Sequence, residues 1–136
     1  MKIRNFIKTG PVNTELPESH LTDDEYRTIP IFINNRDLVN WPAKLINQLN
    51  IEGFQKIIIL DNDSSYPPLL SFYESTSAKV VKLGDNLGHR ALWLSGILQE
   101  PEYRGKMYVL TDPDCVLDDE CPKDFMRHLH RILLKH

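Results

Sequence analysis

The stretch KIIILDNDSS at residues 56–65 decides how this sequence folds. From Ile57 to Leu60 every side chain is apolar, which is typical of a strand buried on both faces of a parallel sheet. From Asp61 to Ser65 every side chain favours a turn. The stretch therefore predicts a buried strand that ends abruptly in a polar loop.

The same pattern occurs three more times along the chain. Short apolar strands are predicted at 29–33, 79–83 and 106–110, and each also leads into a polar loop. Helices are predicted between and after the strands, at about 38–52, 67–73, 89–99 and 122–135. This alternation of strands and helices predicts an α/β sandwich with a mostly parallel sheet and right-handed crossovers.

The positions of one proline and two tryptophans in the predicted helices can also be predicted. Pro42 is tolerated only if it lies in the first turn of its helix. Trp41 and Trp93 fall on apolar helical stripes, so both are predicted to lie in the core.

Residues 1–27 differ from the rest of the chain. They mix charged residues and prolines without sustained periodicity, which predicts a partly ordered arm or an edge strand. We therefore divide the chain into an arm at 1–27 and a domain at 28–136.

Composition excludes several classes of protein. The 136 residues are 41% hydrophobic and 26% charged, which is typical of one globular domain. A net charge of −3 argues against nucleic acid as a partner. No apolar run is long enough for a membrane span, and the first residues do not resemble a secretory signal. The two cysteines, Cys115 and Cys121, fit neither a disulfide framework nor a zinc site, so we expect a soluble cytoplasmic protein.

Motifs of several enzyme classes are also missing from the sequence. There is no glycine-rich phosphate loop of the dinucleotide-binding or P-loop type, and no G-x-S-x-G elbow. Cys115 directly follows a pair of acids, so it is predicted to be a packed residue rather than a nucleophile.

Polar residues follow all four predicted strands, at 34–36, 61–64, 84–86 and 112–114. Open parallel sheets bind ligands beyond the carboxyl ends of their strands, so these loops predict a binding site at one edge of the sheet. The alternative is that each loop only caps the helix that follows it. Asp112-Pro113-Asp114 is the sharpest feature, because two carboxylates so close together can face one divalent cation such as Mg²⁺ or Mn²⁺.

Taken together, these motifs resemble the GT-A glycosyltransferases, most closely family 2. The matching segments are IFINNR at 31–36, LDNDSS at 60–65, NLG at 86–88 with GI at 96–97, and YVLTDPD at 108–114. The resemblance covers about residues 28–136. It implies a Rossmann-like, three-layer α/β/α fold of the nucleotide-diphospho-sugar transferase type.

The resemblance also implies a site and a substrate. Asp112 and Asp114 would hold Mn²⁺ or Mg²⁺ on the diphosphate of a UDP- or GDP-sugar, and the acceptor would be a glycan or another hydroxyl compound. Arg90 is added as a candidate because a guanidinium suits phosphate. The candidate nucleotide-binding residues are Asn34, Asn35, Arg36, Asp61, Asn62, Asn86, Arg90 and Asp112.

One expected part of such an enzyme is not found. Family 2 domains carry an acceptor-side carboxylate base well after the DxD motif, whereas here the later acids follow Asp114 closely. The chain therefore resembles the nucleotide-binding half of a truncated or split domain. Two alternatives stay open: a non-catalytic nucleotide-sugar-binding or assembly module, and, less well matched, a Rossmann-like methyltransferase. The basic, amphipathic last helix suggests self-association or peripheral contact with a membrane.

Overall fold

The computed structural model of the chain describes residues 16–136, and its centre is a sheet of four parallel strands. The strands lie in the order β3-β2-β1-β4. Their bounds are Ile31–Asn35 for β1, Ile57–Asp61 for β2, Lys79–Lys82 for β3 and Val109–Thr111 for β4. The predicted α/β class with a parallel sheet is confirmed, and each predicted strand lies within three residues of its predicted position.

Three helices connect the strands in the predicted order: α2 (Asn40–Ile51), α3 (Pro67–Ser75) and α4 (Ala91–Leu94). The predicted last helix, α5 (Phe125–Lys135), follows β4, and a helix that was not predicted, α1 (Asp23–Arg27), precedes β1. Short 3₁₀ turns flank α4 at Gly88–Arg90 and Ile97–Gln99. Pro42 is the third residue of α2, as its missing N–H requires. None of the helices in residues 16–136 is both long and apolar enough to cross a bilayer.

The central strands are buried on both faces, which explains their uninterrupted apolar sequences. Alternate side chains of a strand point to opposite faces, so Ile31 and Ile33 join one hydrophobic cluster while Phe32 joins another. The first cluster includes residues of α1, α2, α3 and α5. The second is formed with Leu92 of α4 and with Ile97 and Tyr103. Full burial of each such side chain contributes about 1.5–3 kcal/mol.

The predicted helix at 89–99 is wrong in its length. Only Ala91–Leu94 is α-helical, and Gly96 adopts a left-handed conformation with φ of 77° that ends it. The short helix buries Ala91 and Leu92 against the sheet and turns Trp93 outward. The prediction that Trp93 belongs to the core is therefore also wrong, since this side chain is 53% exposed.

Trp41 is not a core residue either. The helix begins at Asn40, and its inward face is formed by Pro42, Leu45, Ile46 and Leu49. Trp41 lies beside that face and is 46% exposed. Each residue of a helix is rotated by about 100° from the one before it, so the face that buries Pro42 and Ile46 leaves Trp41 at its margin.

The predicted arm at 1–27 is partly within the described residues. Residues 1–15 lie outside them. Between residues 16 and 27 there is a helix and no strand, so an edge strand is wrong for that part. The Thr22 hydroxyl accepts a hydrogen bond from the backbone N–H of Glu25, and acids fill the first turn of α1, so the local sequence favours a helix.

Candidate functional site

The order of the strands fixes where a ligand can bind. From β1 the chain adds β2 and β3 on one side and then returns to place β4 on the other side. In an open parallel sheet, the crevice outside the carboxyl ends of the strands at this reversal is the usual ligand site. Ile33 pairs with Thr111 across it, so Asn34 and Asp112 lead the chain out of the sheet side by side.

The turn after β4 brings three possible metal ligands together. One ligand atom from each of Asp112, Asp114 and Cys115 lies within 4.8 Å of the others. Both carboxylates are exposed, the thiol is half-buried, and Pro113 between the acids is buried. The backbone N–H of Cys115 donates to the carbonyl of Asp112 over 3.3 Å, which closes the turn.

This donor set fits a divalent cation. Two exposed carboxylates leave coordination positions open for water and for phosphate oxygens, as Mg²⁺ and Mn²⁺ need. The Cys115 sulfur is a softer ligand that Mg²⁺ does not favour, so the two carboxylates are the residues suited to hold such an ion. The sequence placed Asp112 and Asp114 in this role but did not join Cys115 to them.

Asp61 and Asn35, two of the candidate nucleotide-binding residues, lie below the surface. Asp61 is 3% exposed; its Oδ1 accepts a 2.6 Å hydrogen bond from the Tyr73 hydroxyl and its Oδ2 accepts one from the Ser64 backbone N–H. Asn35, 1% exposed, donates through Nδ2 to the Tyr73 hydroxyl and to the carbonyl of Leu38. Burial, followed by the hydrogen bond to Asp61, raises the pKa of Tyr73 well above its usual value.

The buried hydrogen bonds among Tyr73, Asp61 and Asn35 connect the end of β1 to the end of β2 and to α3. They therefore hold in place the residues from which the loops of the candidate site begin. Asn35 Oδ1 has no hydrogen-bond partner among the described residues. The predicted nucleotide contacts of Asp61 and Asn35 stay predictions, and in this arrangement neither side chain lies on the open surface.

Three asparagines among the candidate nucleotide-binding residues, Asn34, Asn62 and Asn86, belong to one hydrogen-bond network, and their predicted contacts with a nucleotide stay predictions. Asn62 Nδ2 donates to Asn34 Oδ1, and Asn34 Nδ2 donates to the carbonyl of Gly88 over 3.0 Å. The Leu87 backbone N–H donates to Asn62 Oδ1, while Asn86 Oδ1 accepts from the Gly88 N–H. The network joins the loops after β1, β2 and β3, and it holds the 3₁₀ turn that carries Arg90 next to the end of β1.

Asp37 also shapes this edge, and it was not singled out from the sequence. It adopts a left-handed φ of 53°, and its Oδ1 accepts hydrogen bonds from the backbone N–H groups of Ser65 and Tyr66 at 2.8 and 3.0 Å. These two hydrogen bonds lower the pKa of Asp37. The tolerance of aspartate for left-handed backbone, directly after Asn34-Asn35-Arg36, is the sequence signal that could have identified it.

The remaining candidates, Arg36 and Arg90, are exposed at this edge. Arg36 follows β1, and Arg90 ends the 3₁₀ turn that Asn34 holds. A guanidinium group presents several donors in one plane, a geometry that suits phosphate oxygens. The edge therefore carries a carboxylate pair after β4 and two cationic side chains on neighbouring loops.

Comparisons with known proteins found no match for this chain. No protein-family model matches the sequence, and neither the curated proteins nor the solved structures gave a match. Proposals about function therefore depend on the motifs and on the geometry of this edge.

Proposed function

We propose that this chain is a metal-dependent glycosyltransferase, or the donor-binding part of one, that acts on a nucleotide-diphosphate sugar. One observation carries the proposal: the Asp112-Pro113-Asp114 turn follows β4 at the point where strand order reverses, with both carboxylates close enough for one ion. The resemblance of four ordered motifs to GT-A family 2 supports it. In this proposal the fold belongs to the three-layer, Rossmann-like class of nucleotide-diphospho-sugar transferases.

Asp112 and Asp114 are the residues that would hold Mn²⁺ or Mg²⁺. When bound, the ion would supply charge neutralisation for the departing nucleoside diphosphate. Exposed carboxylates repel a bare diphosphate, so in this proposal binding of the donor depends on the ion.

Arg36 and Arg90 would donate to the phosphate oxygens from the opposite loops. Asn34, Asn62 and Asn86 act on these loops by holding them in place, which lowers the cost of ordering them when the donor binds. The base of the donor, uracil or guanine, would lie over the ends of β1 and β2, above the buried side chains of Asp61 and Asn35, which would hold this part of the edge in place.

Transfer with inversion needs a base that takes the proton of the acceptor hydroxyl. Among the described residues after Asp114 the acids are Asp118, Asp119, Glu120 and Asp124, and all follow the metal-binding turn too closely to reach an acceptor beyond the donor. This favours a second candidate, a nucleotide-sugar-binding or assembly module that needs a partner for turnover. We place either form in the cytoplasm, at the membrane surface if α5 contacts lipid.

Two measurements test the proposal. Thermal unfolding with UDP or GDP, in Mn²⁺, Mg²⁺ or EDTA, tests the donor site; equal stabilisation in EDTA would remove the metal from the proposal. Release of free nucleotide from a panel of sugar donors, with and without acceptors, separates the enzyme from the binding module.

A further inference from the structure

The turn after β4 contains a sulfur atom as well as two carboxylates. The sequence has 19 acidic residues, yet within residues 16–136 only Asp112, Asp114 and Cys115 bring three acidic, histidine or cysteine ligand atoms within 4.8 Å of one another. The cluster is therefore a property of this turn and not of an acidic surface in general.

The backbone of the turn explains why these side chains meet. The hydrogen bond from the Cys115 N–H to the Asp112 carbonyl closes a four-residue β-turn. Pro113 occupies the second position of this turn, which proline favours because its ring fixes φ. The side chains of residues 112, 114 and 115 therefore start from a restricted backbone, which lowers the cost of ordering them around one ion.

The two carboxylates of the turn have no hydrogen-bonding or cationic partner among residues 16–136. The carboxylates of Asp37 and Asp61 differ, because they accept hydrogen bonds from backbone N–H groups and, for Asp61, from the Tyr73 hydroxyl. Two neighbouring negative charges without a partner repel each other, and a cation between them removes that repulsion. The charge of the turn therefore favours a cation as its ligand.

The separation of the three ligand atoms suits a small ion. Zinc binds oxygen at about 2.0–2.2 Å and sulfur at about 2.3 Å, so neighbouring ligand atoms of a tetrahedral site lie roughly 3.3–3.7 Å apart. The ligand atoms of the turn are within 4.8 Å of one another. Rotation of the two exposed aspartate side chains can close the remaining distance of about 1 Å.

The sulfur atom determines which ions can use all three ligands. Mg²⁺ prefers oxygen ligands in octahedral geometry and gains nothing from Cys115, so it would depend on the two carboxylates. Ions of the Zn²⁺ class bind thiolate strongly and also accept carboxylate oxygen. Three protein ligands and one open position form the usual arrangement of a zinc site that binds a further ligand.

We propose that Cys115 is the third protein ligand of this turn and that, with Asp112 and Asp114, it forms a site for a thiophilic divalent cation of the Zn²⁺ class. The thiol releases its proton to solvent as the sulfur–metal bond forms, and the fourth position is left for water or a phosphate oxygen. This inference rests on the proposed function in taking the turn as a metal site, and it adds which ions bind there without nucleotide.

The test uses the full reduced chain, without nucleotide, and Co²⁺ as a spectroscopic substitute for Zn²⁺. A cobalt–thiolate bond gives a sulfur-to-metal charge-transfer band in the near ultraviolet, which carboxylate ligands alone do not give. We expect the band to saturate at about one Co²⁺ per chain and to disappear when excess Zn²⁺ is added. Mg²⁺ at about 1,000-fold excess should leave it unchanged.

Two cysteine variants provide a matched comparison. Both thiols are half-buried, but only Cys115 belongs to the cluster. Cys115→Ser should lose the band and bind Zn²⁺ at least about ten-fold more weakly, whereas Cys121→Ser should retain both properties. Equal Zn²⁺ affinity of the two variants, a band that persists in Cys115→Ser, or no band in wild type would overturn the proposal.

A second pair of variants keeps the test valid if melting curves without metal show that Cys115→Ser does not fold. Asp114→Asn removes an exposed carboxylate of the cluster and should also weaken Zn²⁺ binding at least about ten-fold. Asp119→Asn removes an exposed carboxylate outside the cluster and should have no effect. Equal Zn²⁺ affinity of these two variants would overturn the proposal.

Thermal unfolding with UDP in Mn²⁺ separates this inference from the proposed function. Stabilisation by nucleotide without a cobalt–thiolate band would leave the proposed function in place and overturn the role of Cys115. A band that depends on Cys115, without stabilisation by nucleotide, would support the metal site and contradict the proposed function.

Discussion

The hydroxyl of Tyr73 in α3 donates a 2.6 Å hydrogen bond to Oδ1 of Asp61, the last residue of β2. Both side chains are buried, so this bond joins a helix to the carboxyl edge of the sheet directly beneath the candidate site. Asn35 adds a second hydrogen bond to the same hydroxyl from the end of β1. The geometry of two site loops therefore depends on one tyrosine.

Tyr73→Phe should destabilise the fold, because it leaves a buried carboxylate oxygen of Asp61 without its donor. Loss of a partner for a buried polar group costs about 1–3 kcal/mol in unfolding free energy. Chemical denaturation at neutral pH measures this. Tyr66→Phe is the matched control, since the Tyr66 side chain is 46% exposed, and it should change stability by less than about 0.5 kcal/mol.

The difference in unfolding free energy between wild type and Tyr73→Phe should decrease at high pH. Its pKa in the folded chain is raised, mainly by burial, so the folded state retains the proton above the unfolded pKa of about 10, where the unfolded state loses it. The stabilising contribution is therefore fully present below about pH 10 and is lost as the pH rises further towards the folded value. Denaturation of wild type and Tyr73→Phe at pH 8 to 11.5 measures the difference, and a difference that stayed constant above pH 10 would contradict the raised pKa.

Substitutions at Asp37 should separate its backbone conformation from its hydrogen bonds. Asp37→Ala loses the acceptor for the Ser65 and Tyr66 N–H groups and also strains a left-handed residue, so it should lower the melting temperature most. Asp37→Asn retains a side-chain acceptor and tolerates the left-handed φ. Asp37→Gly tolerates the left-handed φ but has no side-chain acceptor. We expect melting temperatures in the order wild type, Asn, then Gly, then Ala; alanine equal to glycine would argue against strain.

The lowered pKa of Asp37 adds a dependence on acid. The ionised form is favoured in the folded state, so its contribution is present above the unfolded pKa of 3.8 and is lost as the pH falls through the lower folded value. Asp37→Asn, which does not titrate, should therefore lose less stability than wild type on acidification below about pH 4. Melting curves from pH 6 to pH 2.5 provide the measurement, and parallel curves would show that Asp37 is not involved.

Asp114→Asn should abolish metal-dependent stabilisation by nucleotide without unfolding the chain. Nucleotide at 100 times its Kd should add roughly 2.7 kcal/mol to wild type in Mn²⁺ and nothing to the variant. Since Asp114 is exposed, its substitution should change intrinsic stability by less than about 0.5 kcal/mol. Asp119→Asn, an exposed acid of the same segment outside the cluster, is the control and should retain the effect.

We expect the 136-residue chain to bind donor nucleotide but not to transfer sugar. The described residues provide a candidate metal-binding turn, yet none after Asp114 is placed as an acceptor base, and loss of a general base typically costs 10²–10⁴-fold in rate. Slow hydrolysis of the donor is the most turnover expected. Nucleotide release stimulated by an acceptor at about 1 s⁻¹, within the range of normal enzymes, would contradict this expectation.

The sequence was sufficient for the sheet and for the edge at which the site lies. Ile57 to Leu60 offer no polar face, so they can only be buried on both sides, and burial on both sides indicates a parallel sheet between helices. Once the strands are parallel, their carboxyl ends must share one edge. Which loops are neighbours there depends on the strand order, which the sequence did not predict: Asn34 and Asp112 follow the paired residues Ile33 and Thr111 because β4 pairs with β1.

Only the tertiary structure decided which polar residues at that edge are buried and which are exposed. Asp61 and Asp112 have the same side chain after a similar strand, yet Asp61 is buried because Tyr73 of α3 covers it, and Asp112 is exposed. Trp41 and Trp93 likewise lie outside the core, because other side chains of their helices form the buried faces. Local sequence sets the conformation and the polarity of a segment, but exposure depends on side chains that reach a residue from distant parts of the chain, and those contacts exist only once the sheet has formed.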